Sequence, residues 1–184
     1  MRKNRGLLLD RDGVINAEWG YVGSRERFSF LPGLFPFLRE ARDAGYRLAI
    51  LTNQAGVAHG LYTEEDFSRL TAYMLEEMAR EDIAVDLVLG CFFSAKGSVP
   101  AYTRPSFWRK PSPGMVLDAV QRLDLDPIRS AFVGDNLTDM QAARLGGIAR
   151  RILLTQKQGF DVPEEVRLAR TFEDVRAALK APFA

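Results

Sequence analysis

The sequence predicts an α/β fold: three layers, α/β/α, around a central parallel sheet. Three observations carry this. Short apolar runs alternate with amphipathic stretches, glycines stop several of the amphipathic stretches, and polar residues collect directly after the apolar runs. "GLLLD" (6–10) reads as a short buried strand. "LPGLFPFLREARDAG" (31–45) reads as a helix with Pro36 in its first turn and Gly45 as its stop. "YRLAILTN" (46–53) is a second strand. "TEEDFSRLTAYMLEEMARE" (63–81) is a helix with Thr63 as N-cap and acids in its first turn, and Phe67, Leu70, Met74 and Met78 share one face. "VDLVLGCF" (85–92) is a third strand. "SPGMVLDAVQRLDL" (112–125) is a helix expected to turn Val116, Leu117, Val120 and Leu123 inward. "SAFVGD" (130–135) is a fourth strand, "LTDMQAARLGG" (137–147) a helix, "ARRILLT" (149–155) a fifth strand and "TFEDVRAALK" (171–180) a closing helix.

The segment 94–114 breaks this rhythm, with four prolines, three aromatics and no periodicity. A connection of that length in a compact domain is usually functional or mobile. The 184 residues suffice for one domain, 1–184, with a sizeable core, and a hydrophobic fraction of 47% with a charged fraction of 27% is that of an ordinary globular protein. A formal net charge of +1 predicts no general attraction to nucleic acid or to an anionic membrane. Cys91 is the single cysteine, so no intramolecular disulfide can form, which fits a reducing cytoplasm. "MRKNR" is basic like the start of an export signal, but three leucines before Asp10 cannot serve as its apolar region. No run approaches the length of a membrane span. A cytoplasmic monomer is the expectation.

Ligands of open parallel sheets bind at the carboxyl ends of the strands. Asp10 and Asp12 follow the first strand, Thr52, Asn53 and Gln54 the second, Arg109 and Lys110 the long loop, and Asp135, Asn136 and Asp139 the fourth strand. Two carboxylates placed side by side repel unless a cation or a shared task holds them. The set suits phosphoryl transfer with Mg²⁺, which takes hard oxygen ligands from one or two carboxylates and the substrate phosphate. Asp10 and Asp135 can supply those carboxylates, Asp12 can approach the leaving-group side, and Gly13 lets the chain turn. Lys110 can neutralise phosphoryl charge, and Thr52 can donate to a phosphoryl oxygen.

"DRDGVIN", "LTNQAG", "WRKPSPG" and "VGDNLTDM" resemble, in order and context, the four motifs of the haloacid dehalogenase superfamily phosphatases, whose core is Rossmann-like. The resemblance covers nearly the whole chain. It implies Asp10 as a nucleophile forming an aspartyl-phosphate and Asp12 as general acid and base. It implies Thr52 and Lys110 as catalytic partners, and Mg²⁺ held by Asp10, Asp12 (through its backbone carbonyl) and Asp135. Asn16 would fix the first loop. Within the superfamily the pattern is most similar to the heptose bisphosphate phosphatase branch. The related histidinol-phosphate phosphatases are the alternative, since "GYV" matches the heptose branch. That places Glu18, Trp19, Gly20 and Tyr21 in a substrate loop, with Asn53, Gln54, Arg109 and Asn136 as further substrate contacts, and implies a small phosphorylated sugar as substrate. The short spacings leave no room for a large cap domain.

Two departures stand out. Family members commonly hold a structural zinc with a C-x-H…C-x-C set; here Cys91 keeps the first position, but Phe93, Ser106 and Trp108 hold the others. The loop 94–112 therefore stands in the place of a zinc-binding loop, and no structural zinc is expected. Tyr102, Phe107 and Trp108 are expected to order it by packing. Asn136 stands where lysine is common. His59, the one histidine, reads as a surface residue. Two rival readings are a glycosyltransferase DxD pair, which leaves Lys110 and "VGD" without a role, and a catalytically idle phosphate-binding fold, against which Asp10, Asp12, Lys110 and Asp135 argue together.

Overall fold

The computed structural model describes residues 3–159 and 161–181, so part of the basic start lies outside the described residues. Six parallel strands form one sheet: β1 (Arg5–Leu9), β2 (Tyr46–Asn53), β3 (Leu87–Cys91), β4 (Ala131–Gly134), β5 (Arg150–Leu154) and β6 (Val166–Ala169). Their order is β3-β2-β1-β4-β5-β6. The helices are α1 (Leu34–Asp43), α2 (Glu64–Arg80), α3 (Gly114–Arg122), α4 (Leu137–Leu145) and α5 (Phe172–Lys180).

Alternation along the strands separates two cores. Leu7, Leu9, Leu48 and Ile50 face α1, α2 and α5, whereas Leu8, Ala49 and Leu51 face α3 and α4. Thr63 caps α2 as expected, in a reciprocal capping box with Asp66. Gly45 adopts φ +83° just past α1.

Two expectations need correction. The sheet has a sixth strand: β6 spans four residues with only its end positions buried, too short for a period to show. Leu117 faces solvent at 42% exposure. Helix α3 buries Met115, Val116 and Ala119, with Val120 and Leu123 packed at the margin, and Leu117 lies about 100° around the helix from Val116.

The strand order positions the site. The chain runs outward from β1 through β2 to β3, then returns to place β4 on the other side of β1. This reversal opens a crevice above the carboxyl ends of β1 and β4. Register Leu9↔Val133, extended by the Asp10 amide donating to the Val133 carbonyl at 3.0 Å, sets the residues after each strand side by side.

Backbone bonds from Ser98 and Val99 to the Ala58 carbonyl, and from Ser94 to the Tyr102 carbonyl, hold the 94–112 loop. Arg104 stacks on Phe93 at 4.2 Å, and Trp108 packs half-buried on the α3/α4 core. Phe107, expected to pack, is instead 61% exposed, and Tyr102 is only half-buried, its hydroxyl donating to Glu64. Trp108 on the core and Tyr102 against Phe93, at 5.9 Å between ring centroids, give the loop its aromatic contacts, and Phe107 does not share in them.

Candidate active site

Asp10 leaves β1 into the crevice, Asp135 leaves β4 beside it, and Asp139 stands in the first turn of α4. Each can place a carboxylate oxygen within 4.8 Å of the others. The local chain is built for this closeness. Gly13 has φ +84°, and a Cβ there would lie 2.5 Å from an Asp135 carboxylate oxygen; a Cβ on Gly134 would lie 2.4 Å from the Asp139 side chain. Gly13 lets the loops after β1 and β4 touch, and Gly134 lets Asp139 fold back against its own strand end.

Lys110 enters this cluster from the long loop with its side chain 1% exposed. Its ammonium donates to Asp10 at 2.8 Å, to Asp139 at 2.7 Å and to the Leu51 carbonyl at 2.7 Å. All three of its hydrogens are thereby used. Burial disfavours its charge, yet Asp10 and Asp139 outweigh burial and raise its pKa. Burial likewise raises the pKa of Asp10 against the pull of Lys110, with Asp139 and Asp135 adding to the rise. Burial and then Asp139 push Asp135 up to about 6. Three carboxylates face one ammonium, an excess of two negative charges in a buried place. A divalent cation fits that excess, with Asp10 and Asp135 as its carboxylates, since Asp139 already serves Lys110 and accepts from the Asn136 amide at 3.0 Å. Among the described residues this is the one such cluster of metal-ligating side chains.

On Asp10, the Arg11 amide (2.7 Å) and Lys110 both bond Oδ1, which leaves the lone pairs of Oδ2 available. Asp12 is held separately. Its carboxylate accepts from Arg11 Nη2 at 2.9 Å, Asn16 Nδ2 at 3.0 Å and Gln54 Nε2 at 2.9 Å. Like charges are thus kept apart by different cations: Lys110 for Asp10, Arg11 for Asp12. Arg11 is 1% exposed, and its role was not read from the sequence, though its place between the two aspartates was visible there.

A cleft of about 440 Å³ opens over this floor, lined by Asp10, Asp12, Lys110, Asp135 and Asp139 below and by Glu18, Gly20, Tyr21, Asn53, Arg109 and Asn136 among its walls. The sequence also missed four lining residues, Ala55, Tyr62, Thr138 and Lys157. Asn53 exchanges two hydrogen bonds with the Lys110 backbone, at 2.9 and 3.0 Å, and so fixes the lysine. Arg109 is anchored by the Phe93 carbonyl at 3.2 Å, and Asn136 caps α4 by accepting from Thr138. Tyr21 meets His59 edge-on at 5.5 Å, which joins the first loop to the second. Three expected residues do not line the cleft. Thr52 and Gln54 are each 1% exposed beneath it, and Trp19 is 64% exposed outside it. Gln54 turns its amide onto Asp12 and Thr52 rather than toward a substrate.

Residues 4–147 match the family of haloacid dehalogenase-like hydrolases. The chain is 41% identical over 155 residues to the D-glycero-alpha-D-manno-heptose-1,7-bisphosphate 7-phosphatase of Burkholderia mallei, covering 84% of this chain and 82% of that one. It is 35% identical over 182 residues to the D-glycero-beta-D-manno-heptose-1,7-bisphosphate 7-phosphatase of Yersinia pestis, covering 96% of each. Its fold superposes with a TM-score of 0.82 and 29% identity on the D,D-heptose 1,7-bisphosphate phosphatase of B. bronchiseptica complexed with magnesium and phosphate, covering 95% of this chain and 97% of that one. With the ordered motifs, the six-stranded sheet and the acid cluster at its reversal point, these matches show that the chain belongs to the haloacid dehalogenase-like hydrolases.

Proposed function

We propose that the protein is a Mg²⁺-dependent phosphatase that removes the 7-phosphate from D-glycero-D-manno-heptose 1,7-bisphosphate. The observation that carries this is the split floor of the cleft: one aspartate poised with Lys110 beside an acid pair, a second aspartate two residues on held by its own donors. Asp10 attacks phosphorus and the P–O bond to the sugar breaks, while protonated Asp12 gives its proton to the leaving alkoxide. Asp12, now a carboxylate, takes a proton from water; the water oxygen displaces Asp10 and phosphate leaves. Asp10, Asp135 and the Asp12 backbone carbonyl would hold the magnesium, which would supply positive charge to the phosphoryl oxygens. Lys110 acts by charge, since its hydrogens are already given to Asp10, Asp139 and Leu51. Thr52, beneath the floor, accepts from Gln54 at 2.7 Å and so acts on the site through the amide that holds Asp12.

The sugar lies toward Glu18, Gly20 and Tyr21, and Arg109 and Lys157 offer cations on the walls for a second phosphate. The relatives quoted are named for opposite anomers at comparable identity, so the anomer is a matter for assay. The test is phosphate release with Mg²⁺ from both heptose 1,7-bisphosphate anomers, histidinol phosphate and simple sugar monophosphates. Loss of the 7-phosphate from one anomer at the highest kcat/KM is expected. A preference for histidinol phosphate would overturn the substrate, and no metal-dependent release from any compound would overturn the activity.

A further inference from the structure

The atoms around Gln54 allow one arrangement. Both hydrogens of its Nε2 are taken, by Asp12 Oδ2 at 2.9 Å and Thr52 Oγ at 2.7 Å. An ionised carboxylate only accepts, so the nitrogen of the amide must face Asp12 and the oxygen must face away. At that oxygen stands Tyr62, whose hydroxyl donates to Gln54 Oε1 at 2.6 Å. The ring of Tyr62 is held in place: a Cβ on Gly23 would come within 2.3 Å of it, and one on Gly56 within 2.1 Å. Glycines of the first and second loops thus form a slot for this ring. Burial pushes the Tyr62 hydroxyl up to about 12, so it remains a donor throughout the working range of pH.

We propose that Tyr62 is a positioning residue for the acid–base step, fixing the Gln54 amide so that its nitrogen holds Asp12 at the leaving group. The inference rests on the phosphatase reading above. Without the hydroxyl, Gln54 Oε1 loses its donor, and once Asp12 carries the proton that it must deliver, the amide can turn its oxygen toward Asp12 and hold that proton in a hydrogen bond. Thr52 can rotate its hydroxyl to suit either orientation, so Tyr62 alone opposes the turn while Asp12 is protonated. The loss therefore falls on proton delivery, and it is felt where the leaving group needs a proton.

The test is Tyr62→Phe, which keeps the ring in its slot and removes one oxygen. Its kcat/KM, which reports events up to departure of the leaving group, is measured on heptose 1,7-bisphosphate and on p-nitrophenyl phosphate, beside wild type, Asp12→Asn and the double variant. We expect a loss of about tenfold on the sugar phosphate, within the range of general acid catalysis, with KM nearly unchanged. On the aryl phosphate we expect a loss of less than about twofold. In the Asp12→Asn background Tyr62→Phe adds nothing, because it acts through the group already removed. Equal losses on both substrates, a loss confined to KM, or additive losses in the double variant would make Tyr62 a substrate contact and overturn the inference. Activity like wild type on both substrates would overturn it too. Wild-type enzyme that releases phosphate from neither compound refutes the phosphatase reading, and the inference falls with it.

Discussion

Replacing Lys110 by methionine keeps the length of the side chain and removes the charge that Asp10 and Asp139 share. In the structure the ammonium is 3% exposed as a residue and bonded to two carboxylates and one carbonyl. Removing one partner of a buried pair costs about 3–5 kcal/mol, because the other is left charged and unpaired. Here two carboxylates are left, with Asp135 beside them. At a slope of about 2 kcal/mol per M urea, the unfolding midpoint at pH 7.5 should fall by about 1.5–2.5 M. The sign of the pH dependence follows. Unpaired buried carboxylates titrate above their unfolded values, so the folded variant binds protons more readily than the unfolded chain. Its stability is then greatest at low pH and declines as pH rises through the raised pKa values. Urea unfolding of wild type and Lys110→Met at pH 5 and pH 7.5, without and with Mg²⁺, checks this. The deficit should shrink at pH 5 and on adding magnesium, which supplies charge to the same oxygens. A deficit below about 1 kcal/mol, or one equal at both pH values, would refute a buried three-way ion pair as the centre of this site.

Other consequences are as direct. Asp10→Asn should keep the fold and abolish turnover; a rate like wild type would exclude covalent catalysis at Asp10. Because burial and Asp139 hold Asp135 at about 6 without metal, protons compete with Mg²⁺ below that pH. The rise in Tm on adding Mg²⁺ should therefore be larger at pH 7.5 than at pH 5, and the reverse order would contradict Asp135 as a ligand. Gly13→Ala should weaken Mg²⁺ binding and activity by at least about tenfold, since its Cβ would sit 2.5 Å from Asp135 at a φ of +84°; unchanged metal affinity in a titration would count against the close approach. The purified protein should hold no stoichiometric zinc, and a zinc-selective chelator should leave Tm unchanged at constant magnesium; one zinc per chain by elemental analysis would overturn packing as the ordering force of the 94–112 loop.

The fold was legible in the sequence wherever an element was long enough to show a period or, like the fully buried β4, formed an unbroken apolar run. Helix α2 announced both its cap at Thr63 and its face through Phe67, Leu70, Met74 and Met78, all buried. Strand β6 did not, because four residues at a sheet edge show no repeat. Leu117 was misplaced because apolar residues adjoin at Met115, Val116 and Leu117, and composition alone does not say which of three neighbours faces inward.

In the site, the residues that follow strands could be placed, because parallel topology brings strand ends together whatever the side chains do. Asp10, Asp12, Lys110 and Asp135 all meet in one cleft for that reason. What a sequence does not order is the next layer of partners. Thr52 and Gln54 share the same strand end, yet they lie under the floor, where Gln54 donates to Thr52. Arg11 sits in plain view between the aspartates, but its choice of Asp12 over Asp10 depends on Lys110 arriving from a loop nearly a hundred residues later. Once Lys110 occupies Oδ1 of Asp10, the two neighbouring carboxylates are neutralised by separate cations and need not share one. The pair that looks repulsive in "DRD" is thus resolved twice over, by Arg11 on one side and by Lys110 on the other. In the proposed mechanism that division lets one carboxylate attack while its neighbour, held by Arg11, Asn16 and Gln54, carries the proton.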